Sequence, residues 1–271
     1  MTSRLDLLER SGGTRPLAGR RVLVTRALAQ AGELVARLRE LGAEPVLCPV
    51  IEIAPPEDTG PLDRAIRELE RYDWLVFTSV NGVDAFFRRL RELGRTPDSL
   101  GRIRIAAIGP ATAERLRAYG LGTDLVPGEF VAEAVAAALV ECGIAGRRVL
   151  LPRAAEARET LPETLREAGA AVDVVPAYRT RPVDPPPEAL ERLRAGEVDI
   201  VLLTSSSTAR NLVAALGHDL SVLERPVIAC IGPITAAAAR EAGIRVDLVA
   251  DEYSIPGLLR TVVEAVEERL R

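Results

Sequence analysis

The side chains able to do chemistry in this chain concentrate in four short turns that come as two matched pairs. Thr78-Ser79-Val80-Asn81-Gly82 ends one apolar run, and Thr204-Ser205-Ser206-Ser207-Thr208 ends another. Gly109-Pro110-Ala111-Thr112 is likewise matched by Gly232-Pro233-Ile234-Thr235. Each turn stands where a strand-like run gives way to a helix-like one. Hydroxyls and a carboxamide there lie beside the first backbone N–H groups of a helix, which have no partner within it. Gly near the N-cap and Pro in the first turn suit a helix start, and a missing Cβ lets a ligand approach the backbone. These are four candidate anion-binding helix ends, two in each copy. A Ser or Thr at one helix start is by itself only a cap; recurrence of both turns in both copies singles them out. No turn reads GxGxxG or GxxxxGK[ST], so neither a dinucleotide nor a nucleoside triphosphate is indicated.

Charged and aromatic candidates are fewer. Arg26 and Arg153 end apolar runs, in VTRA and LPRA, and Arg158 with Glu159 opens the next predicted helix. Each guanidinium suits a carboxylate ligand, although a solvated surface position is the alternative for any one arginine, and Arg158 can equally pair with Glu156. Tyr178 stands just before a proline-rich stretch, where the other copy has Ile51. A tyrosine there either donates a proton into a cleft between domains or packs as a linker aromatic. His218, the sole histidine, falls at a predicted helix end away from every turn and reads as a surface residue. With no second histidine and no GxSxG elbow, a serine-hydrolase triad has no support.

What must position these residues is a repeat. Gly19–Thr25 (GRRVLVT) returns as Gly146–Pro152 (GRRVLLP), Asp73–Leu90 as Asp199–Leu216, and Ile105–Thr112 as Ile228–Thr235. The three blocks recur in order at a spacing of about 125 residues, far beyond the 20–50 of stacked repeats, so each copy is a domain. Each alternates β-branched runs with helical spacing. Strands are predicted at Val22–Thr25, Glu44–Ile53, Trp74–Phe77, Ile105–Ile108 and Thr123–Val126. Their counterparts are Val149–Leu151, Val172–Tyr178, Ile200–Leu203, Val227–Ile231 and Val246–Val249. Five strands alternating with helices predict an α/β fold with a doubly wound parallel sheet in each copy. Right-handed crossovers then bring all the strand-to-helix turns to one sheet edge, where ligands of such folds bind. Proline-rich stretches at Ile53–Pro61 and Arg181–Pro187 each follow the second strand of a copy. They fit either contiguous domains or a crossed arrangement in which the copies exchange their opening segments.

Composition narrows the function. The chain has 271 residues, 48% hydrophobic and 27% charged, with a net charge of −4, which argues against a nucleic-acid partner. No lysine occurs, every strongly basic residue being arginine, so a lysine Schiff base is excluded. Cys48, Cys142 and Cys230 are scattered and predict no metal site and a reducing, cytoplasmic setting. The first 18 residues read as a flexible tail, and no apolar run reaches membrane-spanning length.

Taken together, VLVTR, LGAEPVLCPVIEI, DWLVFTS, AAIGPATAERL, LPRAAEARETLPETLREAG with VPAYRT, TSSSTARNLV and IGPITAAAA resemble the uroporphyrinogen-III synthase family from Gly19 to the C-terminus. The resemblance implies two similar flavodoxin-like domains with crossed connectivity and a cleft between them. Residues 1–50 with 180–271 would form one, residues 54–176 the other, and 51–53 with 177–179 a two-strand linker. It implies an enzyme that cyclises hydroxymethylbilane, a linear tetrapyrrole polycarboxylate, with inversion of ring D and no cofactor or metal. Tyr178 aligns with the family's catalytic tyrosine. The expected substrate contacts are Arg26, Thr78, Ser79, Asn81, Gly109, Thr112, Arg153, Arg158, Thr204, Ser205, Ser206, Ser207, Gly232 and Thr235. The expected partner is the small substrate, with at most a transient contact with hydroxymethylbilane synthase, the chain acting as a monomer away from nucleic acid and membrane. Two other readings remain: a non-catalytic two-lobed module binding a small anion or tetrapyrrole, and a flavodoxin-like electron carrier, which the 3% aromatic content disfavours.

Overall fold

The computed structural model describes residues 15–269. The described residues form two compact units, one of residues 15–52 and 181–269 and one of residues 53–180. The path therefore leaves the first unit once and returns once.

The first unit holds strands β1 (Arg21–Val24) and β2 (Glu44–Leu47) on either side of helix α1 (Leu28–Glu40). The remaining strand of its opening segment, β3 (Ile51–Ala54), belongs to the other sheet. The expected single strand over Glu44–Ile53 is thus two, interrupted at Cys48-Pro49-Val50, because proline supplies no N–H for a ladder. Helix α1 buries Ala31, Leu34, Val35 and Leu38 on one stripe. It ends in a Schellman-type closure at Gly42, whose φ of +89° and packing against Ala18 leave no place for a side chain. Of the tail expected over residues 1–18, residues 1–14 lie outside the described residues. Leu17 is not tail: its side chain is fully buried in the core and its N–H donates to the Leu41 carbonyl at 3.0 Å.

The second unit carries helix α2 (Gly60–Arg67), strand β4 (Trp74–Phe77), helix α3 (Val80–Glu92), strand β5 (Arg104–Ala107), helices α4 (Pro110–Ala118) and α5 (Ala132–Glu141), strand β6 (Arg148–Ala154), helix α6 (Thr160–Glu167) and strand β7 (Ala171–Pro182). The chain then completes the first unit with α7 (Pro187–Arg194), β8 (Ile200–Leu203), α8 (Ser206–Ala215), β9 (Val227–Cys230), α9 (Pro233–Glu241), β10 (Leu248–Val249) and α10 (Ile255–Arg269). The strand expected at Thr123–Val126 reduces to one bridge, Leu125 to Ala106, with Pro127 close behind to stop it.

Two five-stranded sheets result, ordered β10-β9-β8-β1-β2 and β3-β7-β6-β4-β5. In the first, β1 pairs in parallel with both β2 and β8. In the second, β6 pairs in parallel with both β7 and β4. The opening strands of each copy are thus completed by the later strands of the other copy. The first sheet follows the flavodoxin-like doubly wound order, with the reversal between β1 and β8. The second follows it in β7-β6-β4-β5, with the reversal between β6 and β4, the Leu125 bridge in place of a fifth strand and β3 added at the β7 edge.

Burial follows the two-residue period of the strands. Leu75 and Phe77 of β4 and Leu150 of β6 enter one core cluster, whereas Trp74 and Val76 of β4 and Val149 and Leu151 of β6 enter the cluster on the opposite face. Both faces are apolar, as a parallel sheet covered by helices on two sides requires.

Candidate active site

Strand β7 breaks the two-residue rule where it matters. Its register against β6 shifts between Arg153 and Ala154, so that Ala154 opposes Tyr178 rather than Ala177. One residue of β7 is thereby looped out of the pairing, and a bulge of this kind turns the next side chain. Val175, Ala177 and Tyr178 consequently all join the same core cluster, and Tyr178 is only 7% exposed.

The Tyr178 hydroxyl ends 3.1 Å from the Ser79 Oγ. Ser79 is the N-cap of α3 in extended conformation, and its Oγ accepts the Gly82 N–H at 3.0 Å. Gly82 sits where a Cβ would come within 3.2 Å of the Pro152 carbonyl, so the helix start lies hard against β6. Burial raises the pKa of the Tyr178 phenol above its ordinary value; hydrogen bonding with Ser79 and Asn81 opposes that shift, and the Glu156 charge adds to it. Tyr178 therefore remains protonated at neutral pH, its oxygen held by two polar neighbours. Thr78, Ser79 and Asn81 are all half-buried at this edge.

Arg153, expected to meet substrate, is committed to the protein itself. It is only 6% exposed, and its guanidinium donates to the Arg158 carbonyl at 2.6 Å and to the Glu159 carboxylate. Arg158 has an exposed side chain and contributes its carbonyl to that clamp. Arg153 thus braces the turn after β6.

In the first unit the corresponding turn is a reciprocal cap. Ser205 Oγ accepts the Thr208 N–H at 3.2 Å, and Thr208 Oγ1 accepts the Ser205 N–H at 3.1 Å. Helix α8 begins at Ser206, with Ser205 as its cap. Ser207 Oγ lies 2.9 Å from Ser205 Oγ, and Ser206 Oγ donates to the Ile234 carbonyl at 3.4 Å. That last contact brings the Thr204–Ser207 turn and the Gly232–Thr235 turn to one place. Arg26, just past β1 at the same edge, meets Gln30 at 3.4 Å and has no ion pair among the described residues. Burial lowers its pKa, with the Glu33 charge opposing. Arg26 is half-buried, and Gln30 is the side chain its guanidinium meets.

The two Gly-Pro turns behave alike. Gly109 and Gly232 are N-caps in extended backbone, and Pro110 and Pro233 open α4 and α9. Thr112 and Thr235 are buried in the first turns. On each glycine the side where a Cβ would stand is covered by a ring of the protein itself. A Cβ on Gly109 would lie 3.0 Å from the Phe130 ring, and one on Gly232 would lie 3.0 Å from the Tyr253 ring. Phe130 and Tyr253 are not among the residues expected at the site. Their signal is nonetheless present in the sequence: Leu125-Val126-Pro127-Gly128-Glu129-Phe130 recurs as Leu248-Val249-Ala250-Asp251-Glu252-Tyr253, at the spacing of the Gly-Pro turns themselves.

A family model described as Uroporphyrinogen-III synthase HemD matches residues 32–260. The uroporphyrinogen-III synthase of Synechococcus elongatus is 36% identical over 254 residues, covering 91% of this chain and 96% of that protein. The chain belongs to the uroporphyrinogen-III synthase family. The family's Escherichia coli enzyme is 30% identical over 89% of this chain and 99% of its own length. Among solved structures, a mutant uroporphyrinogen III synthase of Thermus thermophilus superposes with a TM-score of 0.62 at 23% identity, covering 92% of this chain and 99% of that one. The uroporphyrinogen-III synthetase of Helicobacter pylori 26695 gives 0.60 at 20% identity, over 91% and 99%. At those identities the two structures establish the shared fold. Among the described residues no helix is long and apolar enough to cross a membrane, and no cluster of three metal-ligating side chains occurs.

Proposed function

We propose that this chain is a cyclising lyase that converts hydroxymethylbilane to uroporphyrinogen III, with inversion of ring D and release of water. Membership of the uroporphyrinogen-III synthase family across residues 32–260 is the observation that carries this reading. The reaction begins with rupture of the hydroxymethyl C–O bond: the oxygen leaves as water with one added proton, and the pyrrole nitrogen lone pair stabilises the resulting azafulvene. Ring D then attacks through a spiro intermediate. The substrate supplies both nucleophile and electrophile, so the chain's tasks are to hold carboxylates, to assist the leaving oxygen and to fix which carbon of ring D attacks.

Tyr178 is the donor in this reading. Ser79 Oγ already accepts the Gly82 N–H, and when it donates its own proton to Tyr178, the phenol proton is left for a ligand. A buried phenol with a raised pKa is a hydrogen-bond donor to the departing oxygen rather than a strong acid. The acetates and propionates are bound at the helix starts by Thr78, Ser79, Asn81 and Thr112 on one unit and by Thr204, Ser205, Ser206, Ser207 and Thr235 on the other. The backbone at Gly109 and Gly232 takes part, and Arg26 and Arg158 supply charge. Local helix dipoles let a chain of net charge −4 hold a polyanion. The enzyme works as a monomer in the reducing cytoplasm, with at most a transient contact with hydroxymethylbilane synthase. The free, buried thiols of Cys48 and Cys230 support that setting.

The test is to supply freshly prepared hydroxymethylbilane and resolve the isomers of the oxidised product. Isomer III is expected; isomer I alone overturns the reading.

A further inference from the structure

We infer that Phe130 and Tyr253 are substrate-contacting residues, one on each unit, that hold pyrrole rings by face or edge contact beside the helix starts that hold their carboxylates. The inference rests on the synthase reading above and adds to it the groups that recognise the ring itself.

The two side chains stand apart from the other aromatics of the protein. Phe130 is 47% exposed and Tyr253 is 56% exposed, whereas every other aromatic side chain is buried or half-buried. Leaving two large rings in water forgoes the stabilisation that burial brings. Their placement is the same in both units. Each follows the last short strand or bridge of its sheet, and each packs on the N-cap glycine of a Gly-Pro turn. Neither ring approaches another aromatic closely enough to form a ring pair. Each therefore lies over the start of a nine-residue helix with one surface against the glycine and another open.

A pyrrole bearing acetate and propionate groups is a flat π-system edged with anions. Its chemical complement is an aromatic or apolar surface next to unpaired backbone N–H groups. At both turns an aromatic ring stands beside a helix start whose second residue, Ala111 or Ile234, donates no backbone hydrogen bond among the described residues, and the arrangement arises twice from one repeated stretch of sequence. It also accounts for glycine at positions 109 and 232: the ring must lie against the backbone, and a Cβ would push it off.

The experiment compares Phe130→Ala, Tyr253→Ala and the double variant with Phe130→Leu and Tyr253→Phe, using fresh hydroxymethylbilane, product isomer analysis and thermal melts. Each Ala variant is expected to raise KM about fivefold or more, the range that stacking on an aromatic side chain contributes. The double variant is expected to release more isomer I, and the conservative variants to restore parental behaviour. A double variant with parental KM and isomer share overturns the inference, and a fall in melting temperature without either change reduces the rings to covers for the glycines. Isomer I alone from the parent chain overturns the synthase reading itself and this inference with it.

Discussion

The Tyr178 hydroxyl lies 3.1 Å from the Ser79 Oγ, the same oxygen that caps helix α3 by accepting the Gly82 N–H. One serine thus ties the helix start to the buried phenol. Removing only the phenol oxygen leaves the cap and the ring packing intact. Tyr178→Phe is therefore expected to fold as the parent does and to lose about tenfold or more in formation of isomer III, the scale of general acid assistance or less. Full III formation by that variant removes Tyr178 from the chemistry.

Ser79→Ala acts on both partners at once. Loss of the cap costs about 1 kcal/mol of stability. It also frees the Tyr178 oxygen from one of its two polar neighbours. The expected result is a lowered melting temperature together with reduced kcat; Ser79→Thr, which keeps a hydroxyl at the cap, is expected to recover most of the stability.

Arg153→Ala tests structure rather than binding. The guanidinium is buried and holds the Arg158 carbonyl and the Glu159 carboxylate. Its loss is expected to destabilise the protein by about 2 kcal/mol, the order of charge-assisted hydrogen bonds, and denaturant unfolding measures this. A raised KM with unchanged stability returns Arg153 to the substrate site.

Arg26 gives the opposite expectation. It is half-buried and has no ion pair among the described residues, so its removal breaks none in the free protein. Arg26→Ala is expected to leave the melting temperature unchanged and to raise KM about tenfold. Steady-state kinetics beside a thermal melt separates this from a structural role.

Acid stability should report the Asp63–Arg89 pair, which joins α2 to α3 through two contacts of 2.6 and 2.7 Å. The hydrogen bonds from Arg89 hold the Asp63 carboxyl below its ordinary range. A depressed folded pKa stabilises the fold above the unfolded value, near about 4, and that contribution disappears as pH falls through the folded value. Thermal melts from pH 7 downward are expected to steepen below about pH 4. Asp63→Asn should melt lower at pH 7 and lose less on acidification; an acid slope equal to the parent's excludes the pair as a contributor.

Much of the fold is legible in the sequence because parallel strands buried on both faces must be continuous apolar runs. Trp74–Phe77 and Ile200–Leu203 occupy the bounds that their apolar runs predict. Local chemistry also marks the cap at Ser79 and the prolines opening α4 and α9. Glu44–Ile53 misleads because its apolar pattern runs on across Pro49, and only the ladder shows that its two halves belong to different sheets. Arg153 is not decided by sequence, because a guanidinium at a strand end looks the same whether it meets a ligand or, as in the free protein, Glu159.

The sequence by itself determined that two copies of one α/β plan exist and that four polar turns fall at strand ends. Those follow from periodicity, capping preference and internal repetition, all of which act over a few residues or between similar stretches. Periodicity and repetition left contiguous and crossed domains open, and only the resemblance implied the crossing. The tertiary structure shows it as β1 paired with β8 and β6 with β4, since pairing between strands far apart in the chain leaves no local trace. It alone turned Tyr178 onto Ser79, through a bulge set by the β6 register, and it alone laid Phe130 and Tyr253 on their glycines.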